Sequence, residues 1–266
     1  MSRSNADEAK PNSVASRRLK LGVLIVTALI AVIAVALQPP IAQDPGYHQF
    51  ADQRLLLGVP NFWNVVSNVA FLVVGVIGVA QAAARRSLPM RAMYLSFFAG
   101  TCLVAFGSGY YHLAPGNETL LWDRLPMVIA FMAFFSIIVG TYIDENAGSR
   151  LYGPLLAVGL ASVVYWHFTE QAGHGDLRAY VIAQFLPIML IPLIVLLFPS
   201  RLSSPKFVWA VIGAYVVAKL FELADAQVFT MTDAISGHTL KHLAAALGAY
   251  FFLRAMRQRH AAILGR

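Results

Sequence analysis

The chain has 266 residues, of which 58% are hydrophobic and only 12% are charged, and its formal net charge is +7. Soluble domains carry roughly 25% charged residues, so this composition provides too little polar surface for a soluble core and indicates a membrane protein. The single cysteine, Cys102, excludes an internal disulfide and a metal site built from cysteines.

Eight apolar segments follow one another along the chain, each long and continuous enough to cross a bilayer as a helix. None alternates apolar and polar residues as the strands of a membrane barrel do. Helices satisfy their own backbone hydrogen bonds in lipid, so we predict an all-α integral membrane protein. The predicted spans are 20–37, 62–84, 91–113, 120–142, 151–168, 178–198, 206–228 and 237–257.

The basic residues are unevenly divided between the two sets of connections. Fifteen of the 20 Lys and Arg residues lie at one side, in 1–20, 85–91, 143–150, 199–206 and the C-terminal end from Arg254 onward. The positive-inside rule then places both termini in the cytoplasm, and an even number of spans agrees with this. The positive charge is thus a topology signal, and we expect no nucleic-acid partner.

The N-terminal region allows two interpretations. Residues 1–19 form a polar, basic tail that we expect to be disordered. The run that follows resembles a secretory signal, with a possible cleavage site at Ala34-Val35-Ala36. We favour an uncleaved anchor over 20–37, because the apolar run is long for a signal. An outer loop, 38–61, comes next, and its "FADQRLLLG" could form a short interfacial helix.

Ionisable residues near the outer ends of three spans indicate a functional site. His112 ends the third span, Asp123 begins the fourth, and His238 and His242 begin the eighth. Under the predicted topology, three segments that are distant in sequence bring three histidines and an aspartate to one membrane level. Each histidine alone is more often an interfacial or hydrogen-bonded residue than a metal ligand, and the coincidence of depth is what favours a metal.

The spacing of these residues suggests their chemistry. His238 and His242 lie at i and i+4, so their side chains share one helix face and can bind one metal ion. Catalytic zinc takes three protein ligands and keeps a position for water, which makes His112 the natural third ligand. Asp123 is then free to take a proton from that water. Ser108 lies one turn before His112 and can stabilise an oxyanion.

Other polar residues within the spans have alternative interpretations. Asn64, Ser67 and Asn68 favour interhelical hydrogen bonding over the lining of a substrate pocket. Lys219 and Glu222 can pair at i and i+3. Four isolated histidines are expected to be interfacial or hydrogen-bonded: His48, His167, His174 and His260.

Two further residues lie close to the predicted site in sequence or depth. Asp225 lies near the outer membrane level and is a candidate hydrogen-bond partner of the metal ligands. Lys241, between the two histidines of the eighth span, is expected to point away from them and to reach lipid phosphate.

Four segments resemble the alkaline ceramidases: "NFWNVVSN" (61–68), "GSGYYH" (107–112), "LLWDRLPM" (120–127) and "GHTLKHLAAALGAY" (237–250). These enzymes belong to the membrane-hydrolase superfamily called CREST, which also contains the adiponectin/progestin receptor group. The resemblance covers about residues 50–257, and its core is an ordered set: S-x-x-x-H, an Asp eleven residues later, and H-x-x-x-H near the C-terminus.

The resemblance implies a seven-helix transmembrane bundle, a zinc ion and hydrolysis of the amide bond of ceramide. By position, His112, His238 and His242 are the implied zinc ligands, Asp123 deprotonates the water, and Ser108 assists at the metal. The first span is then an extra N-terminal transmembrane helix. The implied domains are the tail 1–19, the anchor 20–37, the outer loop 38–61, the hydrolase core 62–257 and a basic C-terminal tail 258–266.

Calcium is a second cofactor that the resemblance raises. Animal ceramidases have an acidic calcium-binding stretch before "FWN". Here the corresponding region offers Asp44, Asp52 and Asn61 without reproducing the acidic pattern. Calcium therefore stays an open alternative.

Together these observations predict a zinc-dependent membrane amidase that acts on ceramide or a related N-acyl lipid, which enters from the bilayer. A non-catalytic lipid-binding receptor of the same superfamily is the alternative. A metal transporter is disfavoured, because the polar residues cluster at one face of the membrane. We expect a multi-pass protein of a bacterial inner membrane, with its site towards the periplasm.

Overall fold

The structure, a computed structural model, describes residues 10–199 and 205–265. These residues form ten α-helices and a single 3-10 turn, Pro45–His48, and contain no strand beyond an isolated bridge between Leu56 and Val59. The chain is therefore an all-α membrane protein, as predicted. The helices are α1 Lys10–Ala36, α2 Phe62–Val66, α3 Val69–Ala84, α4 Arg91–Leu113, α5 Asn117–Tyr142, α6 Glu145–Gln171, α7 Arg178–Leu197, α8 Pro205–Leu223, α9 Asp225–Thr232 and α10 Gly237–Leu264.

Six helical segments of the described chain are long and apolar enough to cross a membrane. The pair α8–α9, which bends by 75° between its two helices, makes a seventh if it is counted as one span. The eighth expected span falls within α10, which does not meet the same criterion. Its sequence includes Lys241 and several arginines towards the C-terminus. Helix α10 nevertheless packs against α3 and α8 as part of the bundle.

The tail prediction was wrong for residues 10–19, which are helical, whereas residues 1–9 lie outside the described part of the chain. Pro11 stands in the first turn of α1, where a missing N–H costs no helical hydrogen bond. At the C-terminus, α10 continues as far as Leu264, so most of the expected basic tail is also helical.

Helix α1 packs along α7 at the edge of the bundle. Its C-terminal end is held by Arg178, which donates hydrogen bonds to the carbonyls of Ala36 at 3.2 Å and Gln38 at 2.7 Å. Asp176 accepts from the same guanidinium, and these hydrogen bonds lower the pKa of its carboxyl to about 2.

The segment 50–58 contains no helix, which corrects the interfacial helix considered from its sequence. Leu57 and Gly58 have positive φ values of 53° and 79°, and they form a tight turn between Leu56 and Val59. Two consecutive residues in the left-handed region are incompatible with a helix here.

The site residues meet because α4 and α5 approach each other very closely. At Gly107, an added Cβ would lie 2.0 Å from the carbonyl oxygen of Trp122, so this position requires glycine. The approach places Ser108 and His112, on α4, beside Asp123 on α5. Both helices have their site residues at the end of the bundle where α10 begins.

We predict that Gly107→Ala lowers the thermal midpoint of the protein in detergent and destabilises it by about 1–3 kcal/mol, because the methyl group collides with backbone. Gly109→Ala is the matched control: nothing lies within 4 Å of its added Cβ. That change should be neutral or stabilising by up to about 1 kcal/mol, since alanine favours helix. Equal thermal midpoints for the two variants would contradict the close approach of α4 and α5 at Gly107.

Candidate metal centre

Three histidine side chains converge at one end of the bundle. His112 lies in the last turn of α4, and His238 and His242 lie in the first two turns of α10. Their ring centroids are 4.9, 5.0 and 4.9 Å apart, and one ligand nitrogen from each lies within 4.8 Å of the others. All three side chains are buried. The structure thus brings together the three predicted ligands.

The start of α10 is fixed by local contacts. Ser236 caps the helix, because its side chain accepts a hydrogen bond from the Thr239 backbone N–H. Gly237 allows the turn to lie against α8, since an added Cβ would be 2.3 Å from the Phe221 carbonyl oxygen. The hydroxyls of Ser236 and Thr239 also contact Asn64 Oδ1 at 3.4 and 2.9 Å.

Polar residues in and next to α2 form hydrogen bonds to the histidine residues of the site. Ser67 Oγ lies 2.8 Å from His242 Nδ1, a hydrogen bond that orients the ring and leaves Nε2 for a ligand. Asn61 Nδ2 donates to the His112 carbonyl at 2.8 Å. Asn68 bonds to the carbonyl of Asn64 within its own segment. For Asn64 and Ser67 the interhelical interpretation is confirmed.

Asp123 lies next to the histidines rather than among them. Its neighbours include the Ser108 hydroxyl and the charged side chains of Lys241, Arg124 and Glu222. Its side chain is only half-buried, whereas Ser108 is buried. The fold therefore places Ser108 and the Asp123 carboxylate close to the last turn of α4, which carries His112.

Asp225 acts on the site through backbone groups. Its Oδ1 accepts from the His238 N–H at 2.7 Å, and its Oδ2 accepts from the Ala51 N–H at 2.9 Å. It therefore joins the start of α10 to the outer loop and does not contact an imidazole nitrogen.

The prediction for Lys241 was wrong. Its Nζ lies 2.6 Å from Glu222 Oε1, and Lys219 bonds to the other oxygen of Glu222, as expected from their spacing. Lys241 therefore lies between α8 and α10 instead of reaching towards lipid phosphate. A carboxylate on the adjacent helix attracts the ammonium more strongly in a low-dielectric interior than it would in water.

The outer loop covers the histidines. The ring of Phe50 lies edge-on to His112 and His238, with centroid distances of 4.6 and 4.5 Å. Arg54 donates a hydrogen bond to Asp52 within the loop. It also donates to the Ala234 carbonyl at 2.6 Å, which connects the loop to the segment between α9 and α10. Burial raises the pKa of the Asp52 carboxyl, but hydrogen bonds from Arg54 outweigh burial and hold that pKa below its ordinary value. The ion pair between Arg54 and Asp52 is therefore intact at any pH above the ordinary pKa of a carboxyl group. It weakens only when the pH falls through the lowered pKa of Asp52.

The three residues considered for calcium are engaged separately. Asp44 accepts from the Gly46 N–H, Asp52 binds Arg54, and Asn61 donates to the His112 carbonyl. Within residues 10–199 and 205–265, the one group of His, Cys, Asp and Glu that could hold a metal is the histidine triad.

The four isolated histidines lie outside this group. His48 bonds to Tyr111 and Asn117 at 2.8 and 2.9 Å, and His167 lies 3.7 Å from Glu118. The geometry of His48 agrees with the hydrogen-bonded interpretation.

The triad fits a metal ion in its chemistry. His112 Nδ1 is buried with no hydrogen-bond partner among the described residues. Ring nitrogens packed together in this way leave lone pairs without donors, and a cation satisfies them. Three imidazole ligands with one open position are typical of catalytic zinc.

We predict that the purified protein carries about one zinc ion per chain and that His112→Ala or His238→Ala reduces this content strongly, because each removes one of three ligands. His174→Ala, in an exposed loop, should leave the content unchanged. Metal content is measured by mass spectrometry after gel filtration. Full zinc occupancy in a His112→Ala/His238→Ala double variant would refute the ligand assignment.

We predict that Ser67→Ala weakens zinc affinity about 10–100-fold, because it removes the hydrogen bond that orients His242. The control is Ser162→Ala, since Ser162 is also buried but bonds to the Gly159 carbonyl on α6. Competition with a chromogenic chelator measures both affinities, and equal values would show that Ser67 does not support the metal.

Comparisons with known proteins agree with this geometry. A family model described as Ceramidase matches residues 57–263, a range that contains the three histidines, Ser108 and Asp123. A search of curated proteins gives no match. The family match covers well over half of the chain. The chain therefore belongs to the ceramidase family, and this membership implies a hydrolase that acts on amide bonds of a lipid substrate.

Proposed function

We propose that the protein is a zinc-dependent membrane amidase that hydrolyses the N-acyl bond of ceramide or a related N-acyl lipid to a free fatty acid and an amine lipid. The observation that carries the proposal is the placement of three buried histidines beside the Ser108–Asp123 pair. Family membership supports the amide as the bond that is cleaved.

His112, His238 and His242 are the residues that would hold the zinc ion. When bound, zinc polarises the amide carbonyl and lowers the pKa of water. The remaining steps belong to Asp123 and Ser108.

Asp123 takes a proton from the attacking water, whose oxygen adds to the carbonyl carbon. The same carboxyl then gives the proton to the amine as the C–N bond breaks. Ser108, a neighbour of this carboxylate, donates a hydrogen bond to the developing oxyanion.

The proposed route of the substrate is lateral. Phe50 and the outer loop cover the histidines, which hinders entry from water. Acyl chains can lie between the apolar helices, and the head group then reaches the level of Asp123. With both termini in the cytoplasm, this level is the outer, periplasmic face of an inner membrane.

The runner-up function is a lipid-binding receptor in which the metal only stabilises the fold. The two functions differ in their dependence on Asp123, because a receptor needs no proton acceptor at the metal.

We predict that the wild type releases fatty acid from at least one member of a panel of N-acyl lipids and that a chelator abolishes this release. Asp123→Asn should lower kcat by about 10²–10⁴-fold while zinc content is retained, since it removes a general base but no ligand. Fatty acid is quantified by mass spectrometry.

Asp233→Asn is the control, because Asp233 is an exposed carboxylate at the same end of the bundle. An active Asp123→Asn enzyme would exclude the proposed base. A wild type that binds lipid and zinc but releases no fatty acid from any member would favour the receptor.

A further inference from the structure

The outer loop ends in a turn whose apolar side chains are not covered by the rest of the protein. Leu57 is 91% exposed and Leu55 is 67% exposed. Leu56 and Val59 exchange two backbone hydrogen bonds, at 3.1 and 2.9 Å, so Leu57 and Gly58 form the tip of a narrow hairpin. We call residues 55–59 the leucine turn.

The backbone of the leucine turn does not favour a leucine at its tip. Leu57 and Gly58 have consecutive positive φ values, the pattern of a type I′ turn, in which asparagine or aspartate normally precedes glycine. Three other non-glycine residues of the described chain have positive φ: Asn61 and Met90, which are buried, and Asp233, which is exposed and polar. Leu57 alone among these four combines a strained backbone with an exposed apolar side chain.

The leucine turn lies at the level where a membrane span begins. The segment Phe62–Ala84 is one of the candidate spans, and Val59 precedes it by three residues. The Cα atoms of Val59 and Phe62 are therefore at most about 11 Å apart. The head-group layer outside the hydrocarbon core is about 5–8 Å thick. Trp63, in the first turn of α2, is also a residue type that is enriched in this layer.

The composition of the leucine turn continues that of the span. Residues 55–84 contain no charged side chain, so the uncharged segment begins seven residues before the helix does. Val66, Val69 and Val73 of the span are exposed at the surface of the bundle, where a membrane protein meets lipid. The exposed leucines thus belong to a segment with the composition of a membrane-embedded chain.

The base of the hairpin is joined to the loop that covers the histidines. The Phe62 N–H donates to the Arg54 carbonyl at 3.3 Å, and the Arg54 guanidinium bonds to Asp52 and to the Ala234 carbonyl. Phe50, which lies against the histidines, is two residues before Asp52. A contact that fixes the leucine turn therefore also restrains the cover of the metal centre.

We propose that the leucine turn is a membrane anchor, in which Leu55 and Leu57 insert into the lipid leaflet at the histidine end of the bundle. The partner of this surface is the lipid boundary between head groups and acyl chains. Insertion removes two large apolar side chains from water, which offsets the strain at the tip. The anchor holds the outer loop over the histidines, and it does not depend on the proposed amidase function.

The depth of a spin label tests the insertion. In a Cys102→Ala background, Leu57→Cys, His174→Cys and Val73→Cys are each labelled with a nitroxide and placed in nanodiscs. Power saturation measures collisions with oxygen, which concentrates in lipid, and with a water-soluble nickel chelate. We expect nickel accessibility at Leu57 to be at least about threefold lower than at His174 and to approach that at Val73. Equal nickel accessibility at Leu57 and His174 would overturn the anchor.

The two reference positions are matched to the question. His174 lies in the exposed connection between α6 and α7, at the same end of the bundle, and its exposed neighbours Ala172 and Gly173 are small. Val73 is exposed near the middle of the span Phe62–Ala84. The first position reports water and the second reports the lipid interior.

A chemical measurement avoids the bulky label. A charged thiosulfonate is excluded from lipid, whereas a small neutral thiosulfonate enters it. The ratio of the charged to the neutral reaction rate should be at least about tenfold lower for Leu57→Cys than for His174→Cys. Comparing ratios removes differences in thiol reactivity, and equal ratios would overturn the anchor.

Hydrogen exchange tests whether the anchor restrains the cover. In the Leu55→Ser/Leu57→Ser double variant in nanodiscs, we expect the amides of residues 50–56 to exchange at least about threefold faster than in the wild type. Leu264→Ser is the control, because Leu264 is also exposed but lies at the opposite end of α10. Unchanged exchange in the double variant would overturn the role of the leucine turn in holding the loop.

Discussion

The convergence of three imidazoles in an apolar bundle is the constraint around which the site is built. His112 comes from the end of α4, and His238 and His242 come from the start of α10. The rings meet only because α4 lies tightly against α5 at Gly107 and because Gly237 lets α10 begin against α8. Both glycines are positions where a side chain would collide with backbone, so the geometry of the metal centre depends on close helix packing.

Low dielectric surroundings explain why so many polar side chains near the histidines are paired. Ser67 orients His242, and Asn64 bonds to the hydroxyls that begin α10. Asp225 holds the His238 backbone and the outer loop with its two oxygens. A buried polar group without a partner costs free energy, and each of these contacts removes such a cost while fixing a ligand or its helix. The network thus stabilises the fold and orients the site together.

The charged residues show most clearly where sequence patterns mislead. Lys241 was expected to point away from His238 and His242 and to reach lipid phosphate. That reasoning treats α10 alone, whereas Glu222 on α8 draws the ammonium inward. Arg124 had no role assigned from the sequence, yet its guanidinium lies over the rings of Trp166 and Tyr180. An arginine inside a span is itself a functional indication, and that signal could have identified it.

Apolar runs, basic connections and the order S-x-x-x-H, Asp, H-x-x-x-H are local properties, and they were sufficient to predict an all-α membrane protein and the three histidines of the candidate metal centre. The same patterns failed for residues 10–19, where helix α1 continues through charged residues. They also failed for residues 50–58, where positive φ values at Leu57 and Gly58 are incompatible with a helix. Only the tertiary structure decided the loop over the histidines, the second contact of Asp225 and the packing of Arg124 on Trp166 and Tyr180. These features depend on side chains from different helices meeting in low dielectric, which no spacing along one helix encodes.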